Sequence, residues 1–504
     1  VRNGQPEIYS TPFNNNNGGF LKILDEWSQV LDSITDKWPT LLDFENDLRA
    51  KVGPMSVMKP LKDRMSDIDA YYEDILSPAQ PVTDRAVKAV IAEFKQVKGL
   101  NLRSEQRTVD TMKKSTNSGN PYFTKRRTVV KKTIPSYIHN MEQVLNGGNT
   151  TYPVTAVLGW RGQEGGPEPS DVKQRVVWMF PFAVNIAELR LYQPLIESCQ
   201  RFNLVPAWVS MESVDQRITR MFDTKDPKDD IICTDFSKFD QHFNPSLQDA
   251  AKTILQSLMN STRDSHYWIE QVFPIKYSIP LAYDFGYVRQ GNHGMGSGSG
   301  GTNADETLAH RALQYEAALE HNQKLNPNSQ CLGDDGVLTY PGITAEDVMR
   351  SYTKHGLEMN PDKQYVSKQE CTYLRRWHHQ DYRVNGVCVG VYSTYRALGR
   401  LCQQERYYDP DVWSSKMVAL RQLSIIENVK YHPLRDQFAE FCMKRDKYRL
   451  GIDIPGFLDN IEDIAQESID LMPDFLGYTK SMGLQSKGTG ISEWWIVKYL
   501  KSKQ

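Results

Sequence analysis

The stretch CTDFSKFDQ (residues 233–241) decides the fold when it is combined with two shorter stretches downstream, SGSGGT (297–302) and GDD (333–335). The first and third stretches carry carboxylates, which can hold two divalent metal ions about 3.5–4 Å apart together with phosphate oxygens. The glycine-rich stretch between them offers a loop with little side-chain bulk. A carboxylate pair, a pliant loop and an acidic turn in this order indicate a site for nucleotidyl transfer.

The sequence around these stretches predicts where they lie in the fold. DIIC (230–233) is a short apolar strand, so Asp235 is expected to project from a strand end. Residues 330–332 and 336–340 are expected to form two strands joined by a turn at 333–336. A helix is expected after SGSGGT, with an apolar stripe made of Ala304, Leu308, Ala312, Tyr315 and Leu319.

The flanking regions have simpler patterns. Apolar residues recur at three and four spacing over 20–96, and the chain after about 391 is also expected to be helical. A strand is expected over 170–183, where β-branched and aromatic residues cluster. Residues 1–20 are rich in Asn and Gly and are expected to form a surface arm, whereas 101–135 is basic and rich in turns.

The composition is that of a globular protein. The chain has 504 residues, of which 39% are hydrophobic and 24% charged, which predicts several subdomains. No apolar stretch approaches the roughly 18 residues that a membrane span requires. No signal peptide is visible at the N-terminus, and the missing Met before Val1 suggests a trimmed or processed start. Seven scattered cysteines without a CxxC pair argue against a disulfide framework or a structural zinc site.

Charge is distributed unevenly. The formal net charge of −2 gives no support for nucleic-acid binding by the chain as a whole. The tract 113–132, however, is basic enough to guide a single strand electrostatically, although an ordinary charged loop would have the same composition. Its basic residues are Lys113, Lys114, Lys125, Arg126, Arg127, Lys131 and Lys132.

The acidic residues are the candidate metal ligands. Asp235 and Asp334 would bridge the two ions and Asp335 would support them, although aspartates also favour turns for local reasons. Asp240 could accept a hydrogen bond from a sugar hydroxyl, and a small carboxylate there, rather than an aromatic residue, points to ribonucleotides. The alternative for Asp240 is a surface aspartate, and the alternative for the loop 297–302 is a flexible linker.

Together the motifs resemble a known family. GMGSGSGGT, CTDFSKFD and LGDD resemble motifs B, A and C of viral RNA-dependent RNA polymerases, most like those of the picobirnaviruses, which have double-stranded RNA genomes. STNSGNPY (115–122) resembles motif G, KQRVVW (173–178) motif F, GLEMNPDKQ (356–364) motif D and YLRRWHH (373–379) motif E.

This resemblance implies an α+β right-hand fold with an antiparallel palm sheet flanked by helices. The implied regions are an N-terminal extension linking to the fingers (1–100), fingers (101–227), palm (228–250), fingers (251–290), palm (291–385), and thumb with tail (386–504). The implied reaction is template-directed addition of ribonucleoside triphosphates to an RNA 3′ end, with two Mg²⁺ or Mn²⁺ ions and a primer-independent start.

The resemblance also assigns roles to residues. Lys363 would be the general acid for the pyrophosphate leaving group. The expected nucleotide-binding residues are Asp240, Lys173, Arg175, Arg161, Ser297, Gly298, Thr302 and Asn303. The expected RNA-binding residues are Ser115, Thr116, Asn117, Ser118, Gly119, Lys125, Arg126, Arg127, Arg375 and Arg376, of which the two last could instead cover the core with their stems.

The expected partners are template and product RNA, nucleoside triphosphates and a viral capsid protein, without a membrane. The expected location is the interior of the viral particle and the host cytoplasm. There are two rival interpretations. The first is a reverse transcriptase, and the presence of Asp240 and GDD argues against it. The second is a non-catalytic protein that binds RNA or a capsid. No P-loop signature is present, so ATP-driven unwinding is not expected.

One departure from the family pattern concerns sugar selection. Many relatives carry an asparagine four residues after the motif B threonine, where it partners the equivalent of Asp240. Here that position is Glu306, so either the nearby Asn303 takes this part or the hydroxyl network is rewired. The aromatic tail with Trp494, Trp495 and Tyr499 is a further candidate, as an initiation platform folded back into the active-site cavity.

Overall fold

A computed structural model describes residues 10–13, 19–56, 59–135, 154–159, 161, 163–168, 170–171, 174–404, 411, 413–471 and 490–504. Its helices are α1 (Gly19–Leu31), α2 (Pro39–Arg49), α3 (Leu61–Glu73), α4 (Asp84–Glu93), α5 (Glu105–Thr111), α6 (Val130–Thr133), α7 (Phe182–Arg201), α8 (Pro206–Val209), α9 (Met211–Thr224), α10 (Pro245–Leu258), α11 (Arg263–Tyr267), α12 (Thr302–Leu319), α13 (Ala345–Thr353), α14 (Thr394–Cys402), α15 (Ser415–Glu427), α16 (Arg435–Arg445), α17 (Ile461–Leu471) and α18 (Trp495–Lys501). None of the helices in this described part is long and apolar enough to cross a bilayer.

The strands form small, mostly antiparallel sheets. They are β1 (Met55–Ser56), β2 (Ala156–Gly159), β3 (Gln163–Glu164), β4 (Val177–Met179), β5 (Ile231–Thr234), β6 (Leu281–Asp284), β7 (Tyr287–Arg289), β8 (Gln330–Leu332), β9 (Asp335–Leu338), β10 (Tyr365–Ser367), β11 (Glu370–Tyr373), β12 (Arg376–His379) and β13 (Val391–Tyr392). The sheet orders are β1–β3, β4–β2–β6–β7, β10–β5–β9–β8 and β11–β12–β13. The expected α+β class is confirmed.

The palm sheet β10–β5–β9–β8 is antiparallel throughout and holds the acidic motifs. Cys233 in β5 lies opposite both Val337 in β9 and Tyr365 in β10. The hairpin between β8 and β9 turns at Gly333, whose φ of +58° lies in the left-handed region that glycine adopts without strain. The hairpin follows the expected strand, turn and strand closely, except that the second strand already begins at Asp335.

Helix α12 lies in the middle of the molecule, between α4, α10 and the palm hairpin. The expected apolar stripe along it is too narrow, because nearly every residue of the helix is buried, including Asp305, Glu306, His310 and Arg311. Arg311 is satisfied by Glu93 of α4, at 2.7 Å between a guanidinium nitrogen and a carboxylate oxygen. A helix that is buried on all sides has no exposed polar face, so polar and apolar residues need not alternate along it with the helical period.

The strand expected over 170–183 is much shorter than the pattern indicated. Among the described residues of this span, only Val177–Met179 pairs, with β2, and the helix α7 begins at Phe182 directly after Pro181. A proline has no N–H for the sheet ladder, and its fixed φ suits the residue before a helix. The aromatic residues Trp178 and Phe180 are instead buried in the core.

The N-terminal 100 residues divide between two large cores. Trp27, Leu31 and Leu41 of α1 and α2 pack with the C-terminal helices of the thumb. Residues of α3 and α4, such as Ile68 and Val90, pack with the fingers and palm. The N-terminal extension, which was expected to link to the fingers, therefore also packs against the C-terminal helices.

The C-terminal helix α18 belongs to the thumb core, and the expectation that this tail enters the active-site cavity is wrong. Ile496, Val497 and Leu500 are fully buried in the thumb core. Glu427 at the end of α15 accepts hydrogen bonds from the N–H groups of Trp495 (3.1 Å) and Ile496 (3.0 Å). The apolar face of the helix is more stable against the thumb than in a water-filled cavity.

Deleting residues 494–504 should therefore destabilise the thumb. The deletion removes three buried aliphatic side chains, and the burial of each stabilises the folded state by about 1.5–3 kcal/mol. The deletion also leaves Glu427 without its N–H donors. We expect a lower melting temperature by differential scanning calorimetry, whereas deleting only the exposed residues 502–504 should change it little. Equal melting temperatures for the two truncations would contradict this packing.

Candidate active site

Two carboxylates meet where neighbouring palm strands end. Asp235 follows β5 directly, and Asp334 sits in the turn before β9, which pairs with β5 so that Thr234 lies opposite Gly336. Both aspartates are exposed to solvent. Partial burial raises the pKa values of both carboxyl groups. For Asp334, the charges of the nearby Asp240 and Asp235 raise the pKa as well. The structure therefore brings the two expected bridging carboxylates into mutual electrostatic range.

Asp335 differs from the other two. It is half-buried and accepts a hydrogen bond from the backbone N–H of Leu374 at 2.9 Å. Burial, together with the charge of Asp334, raises its pKa to about 7, against the lowering effect of that hydrogen bond. Its contact with Leu374 joins the palm hairpin to the loop between β11 and β12, which suits a supporting role.

Three cationic side chains face the acidic pair. The charge of Arg175 limits the rise in the pKa of Asp334, and the charges of Lys363 and Lys51 limit the rise in that of Asp235, so each cation lies within electrostatic range of its carboxylate. Arg175 and Lys363 were expected here from the sequence. Lys51 was not, because it follows α2 far from the motifs in the chain, and no local signal marks it.

Gln364 is a further residue that sequence reasoning missed. Its Oε1 accepts from the N–H of Asp235, and its Nε2 donates to the carbonyl oxygen of Asp235, both at 2.8 Å. The same Nε2 donates to the carbonyl oxygen of Asn360 at 3.0 Å. One amide side chain thus fixes the backbone that carries Asp235, which only the pairing of β5 with β10 brings within reach.

Replacing Gln364 by glutamate should lower kcat for nucleotide addition by about 10- to 100-fold, since a loss of roughly 1.5–3 kcal/mol is typical of a lost or repulsive polar contact. The carboxylate would face two carbonyl oxygens that now receive an N–H. Single-nucleotide extension by Q364E would measure the loss, with the exposed Gln369→Glu as the matched control. Unchanged kcat in Q364E would show that the hydrogen bonds of the Gln364 side chain do not position Asp235.

The glycine-rich loop is packed rather than open. A Cβ on Gly298 would lie 1.6 Å from the carbonyl oxygen of Trp178, and one on Gly301 would lie 2.3 Å from the ring of Tyr192. A side chain at either position would therefore collide with the fold, and the nucleotide-binding role expected of Gly298 stays a prediction. The two glycines let the loop backbone lie directly on β4 and α7.

Glu188, buried in α7, holds this loop from behind. It accepts hydrogen bonds from the Ser299 hydroxyl and from the N–H of Gly300, the latter at 3.1 Å. Asn185, one turn earlier, donates to the carbonyl oxygen of Gly298 at 3.1 Å. Thr302 begins α12, and its hydroxyl lies 3.3 Å from the carbonyl oxygen of Gly296. The loop geometry is thus set by the fingers helix α7.

The residues near Asp240 have different surroundings. Burial, followed by the charge of Asp240, raises the pKa of Glu306 well above its usual range, so Glu306 lies within electrostatic range of Asp240. Asn303 instead accepts a hydrogen bond from Trp208 Nε1 at 2.7 Å. Asp305 is fully buried, accepts from the hydroxyls of Tyr192 (2.7 Å) and Tyr277 (2.6 Å), and so supports the fold behind the site.

The expected RNA-binding residues fall into two groups. In the first group, hydrogen bonds tie the side chain or the backbone to the rest of the fold. The carbonyl oxygen of Ser118 accepts from the N–H of Phe182, and Arg126 donates to Asn185 at 2.9 Å. Arg376 donates two hydrogen bonds to Asp215, of 2.8 and 2.9 Å. The second group has exposed basic side chains and consists of Lys125, Arg127 and Arg375. Contact of these three side chains with a phosphate backbone stays a prediction.

The remaining expected residues are distributed as follows. In the motif G segment the carbonyl oxygen of Thr116 accepts from the N–H of Arg126, and Asn117 accepts from that of Gly119. Ser115 is half-buried. Ser297 donates to the carbonyl oxygen of Val176, and Arg161 is exposed, whereas Lys173 lies outside the described residues.

The comparisons with known proteins agree with this geometry. A family model described as viral RNA-dependent RNA polymerase matches residues 54–387. The chain belongs to the viral RNA-dependent RNA polymerase family. It is therefore a polymerase that uses an RNA template and nucleoside triphosphates, as the motifs predicted, and the rival interpretations as a reverse transcriptase or a non-catalytic protein are not supported.

Individual relatives extend this polymerase likeness to the whole chain. A potential RNA-dependent RNA polymerase of a human picobirnavirus is 64% identical over 512 residues, covering 100% of this chain and 95% of the relative. The crystal structure of a human picobirnavirus polymerase matches with a TM-score of 0.91 and 62% identity, over 100% of this chain and 95% of that one. The RNA-directed RNA polymerase of Cryptosporidium parvum virus 1 is 25% identical over 314 residues, which is 60% of this chain and 59% of the relative. The expected likeness to picobirnavirus polymerases is confirmed.

Proposed function

We propose that this polymerase adds ribonucleotides by two-metal chemistry, with Asp235 and Asp334 as the protein ligands. The observation that carries the proposal is the meeting of these two exposed carboxylates at the ends of adjacent palm strands, with Arg175 and Lys363 facing them. Mg²⁺, or Mn²⁺ in its place, would polarise the phosphoryl oxygen and activate the attacking 3′ hydroxyl when bound.

The donor set fits such ions. Mg²⁺ is commonly held by one or two carboxylates, with water and substrate phosphates completing its shell. The crowding of Asp235, Asp240 and Asp334 raises the pKa of Asp334, and a bound cation would relieve that repulsion. Within the described residues, no group of three or more His, Cys, Asp and Glu side chains is arranged so that it could hold a metal ion by itself. Water and substrate phosphates would therefore have to complete the shell around the carboxylates of Asp235 and Asp334.

The chain's other residues supply binding and proton transfer. Arg175 would bind the triphosphate and stabilise charge that develops on it. Lys363, exposed and beside Asp235, would donate a proton to the leaving pyrophosphate. Asp240 would accept a hydrogen bond from the ribose 2′ hydroxyl, and Lys51 adds a second positive charge near Asp235.

The biological setting follows from the likeness to picobirnavirus polymerases. We propose that the enzyme starts synthesis without a primer and both replicates and transcribes a double-stranded RNA genome. It would act inside the viral particle, in contact with a capsid protein, and in the host cytoplasm. The family membership supports the polymerase reaction itself, and these further steps are expectations from that likeness.

The test is unprimed synthesis on a single-stranded RNA template with four nucleoside triphosphates and Mg²⁺. We expect template-length RNA, its loss on addition of a chelator, and its return when Mg²⁺ or Mn²⁺ is restored. Product only when an oligonucleotide primer is supplied would refute the primer-independent start. Product that persists in excess chelator would refute the metal mechanism.

A further inference from the structure

The side chain of Arg126, in the basic tract 113–132, is largely occupied by contacts within the fold. Its Nη1 donates to the carbonyl oxygen of Lys113 at 3.2 Å, and its Nη2 donates to Oδ1 of Asn185 at 2.9 Å. The Nε atom is buried, and the guanidinium carbon lies 5.2 Å from the ring centre of Phe182. Both terminal nitrogens of Arg126 are therefore bound to protein groups, although the residues on either side of it in the chain are exposed.

Asn185, on α7, carries an amide whose orientation is determined by Arg126. A guanidinium can only donate hydrogen bonds, so the atom of Asn185 that faces it must be the carbonyl oxygen. The amide nitrogen then faces two acceptors, which are the carbonyl oxygen of Gly298 at 3.1 Å and Oε1 of Glu188 at 3.4 Å. Asn185 is only 3% exposed, so bulk water does not compete for these positions. One cation thus decides which way the buried amide points.

The glycine-rich loop rests on this amide and on Glu188. The carboxylate of Glu188 is fully buried and accepts hydrogen bonds from the Ser299 hydroxyl and from the N–H of Gly300, the latter at 3.1 Å. The Ser299 hydroxyl oxygen in turn accepts from the N–H of Gly301 at 3.0 Å, directly before α12 begins. Two side chains of α7 therefore hold the loop, and Arg126 orders one of them.

Helix α12 connects the loop to the acidic turn between β8 and β9. The hydroxyl of Thr307 accepts from the N–H of Gly333 at 2.9 Å, and Nδ1 of His310 lies 2.8 Å from the carbonyl oxygen of Gly333. Both of these side chains are buried. Gly333 directly precedes Asp334 in the chain, so a displacement of the loop and of α12 would move that carboxylate as well.

We propose that Arg126 is a positioning residue for the glycine-rich loop, and that it links the basic tract to the acidic turn through Asn185 and α12. Without the guanidinium, the amide of Asn185 is no longer fixed, and the loop loses its ordered hydrogen bond at Gly298. Nucleotide addition then slows, because misaligned reacting groups react slowly, whereas RNA binding by exposed side chains is retained. The consequence for Asp334 rests on its proposed role as a metal ligand.

The experiment compares Arg126→Met with wild type in two measurements. The first is kcat for primed single-nucleotide extension at saturating RNA and nucleoside triphosphate, which should fall by about 10- to 100-fold, as is typical when a hydrogen bond to a charged group is lost. The second is the Kd for single-stranded RNA at several salt concentrations, which should stay within about twofold of wild type with an unchanged salt dependence. The exposed Arg107→Met on α5 is the matched control, and its kcat should be unchanged.

A double-mutant cycle with Asn185→Leu tests whether Arg126 acts through the amide. If it does, kcat of the double variant should be no lower than that of Asn185→Leu alone, because the amide that Arg126 orders is already gone. Losses in kcat that multiply in the double variant would mean that the two side chains act independently, and this would overturn the inference.

The two measurements on Arg126→Met can also overturn it. A higher Kd with a weaker salt dependence and an unchanged kcat would make Arg126 a phosphate contact. Should Arg126→Met fail to fold, as judged by its melting curve, Arg126→Lys decides by the same measurements. A lysine has a single nitrogen and cannot bridge Lys113 and Asn185 as the guanidinium does, so its kcat should still fall, and a wild-type kcat would refute the role. Asp334→Asn tests the metal proposal separately, because that change leaves the contacts of Arg126 in place.

Discussion

Replacing Asp334 by asparagine is expected to reduce RNA synthesis by at least about a thousandfold, which corresponds to roughly 4 kcal/mol of lost transition-state stabilisation. The amide is a weaker ligand for a hard cation than the carboxylate. The same change should leave the melting temperature unchanged or raise it. Burial and the charges of Asp240 and Asp235 raise the pKa of Asp334, so at neutral pH its ionised form destabilises the folded state.

Steady-state extension assays and thermal unfolding of the same preparations would check both halves of this prediction. The exposed Asp459→Asn on the thumb is the control, and it should retain full activity. An Asp334→Asn enzyme with wild-type activity would place the metal site elsewhere. A large drop in its melting temperature would show that the carboxylate stabilises the fold, contrary to the crowding of acidic groups described above.

Gly298→Ala is expected to have the second large effect, a loss of at least about 100-fold in activity together with lower stability. The new Cβ would lie 1.6 Å from the carbonyl oxygen of Trp178, a backbone atom of β4 that cannot turn aside as a side chain can. The loop must therefore leave β4, which disturbs its contacts with Glu188 and Asn185 and the start of α12. Overpacking of this kind typically costs about 1–3 kcal/mol, and sometimes more.

Gly159→Ala is the matched control, because it lies in the adjacent strand β2 and its Cβ would meet Val177 at an ordinary 3.4 Å. We expect that variant to keep its activity and melting temperature close to wild type. Primer extension and calorimetry on both alanine variants would decide. Equal behaviour of the two would mean that the loop is free to shift, and that its packing against the fingers does not set the active site.

The short-range features of the active site were predictable from the sequence. The strand before Asp235 and the hairpin around Gly333 follow from apolar residues next to turn residues, and both depend on neighbours within a few positions. The expected strand over 170–183 was too long at its C-terminal end, because pairing stops at Met179 and α7 begins at Phe182, directly after Pro181. The single stripe expected on α12 was too narrow, since burial on every side depends on which elements surround the helix.

The sequence by itself determined the family and the order of the motifs, because each motif is a property of residues close together in the chain, and it predicted Asp235 and Asp334 as the acidic pair. Only the tertiary structure decided that Gln364 fixes Asp235, that Glu188 holds the loop, and that Glu306 lies within electrostatic range of Asp240. It also placed the aromatic tail in the thumb core. Each of these contacts needs a partner element packed against its face, and sequence periodicity reports that a face is buried without reporting which residue covers it.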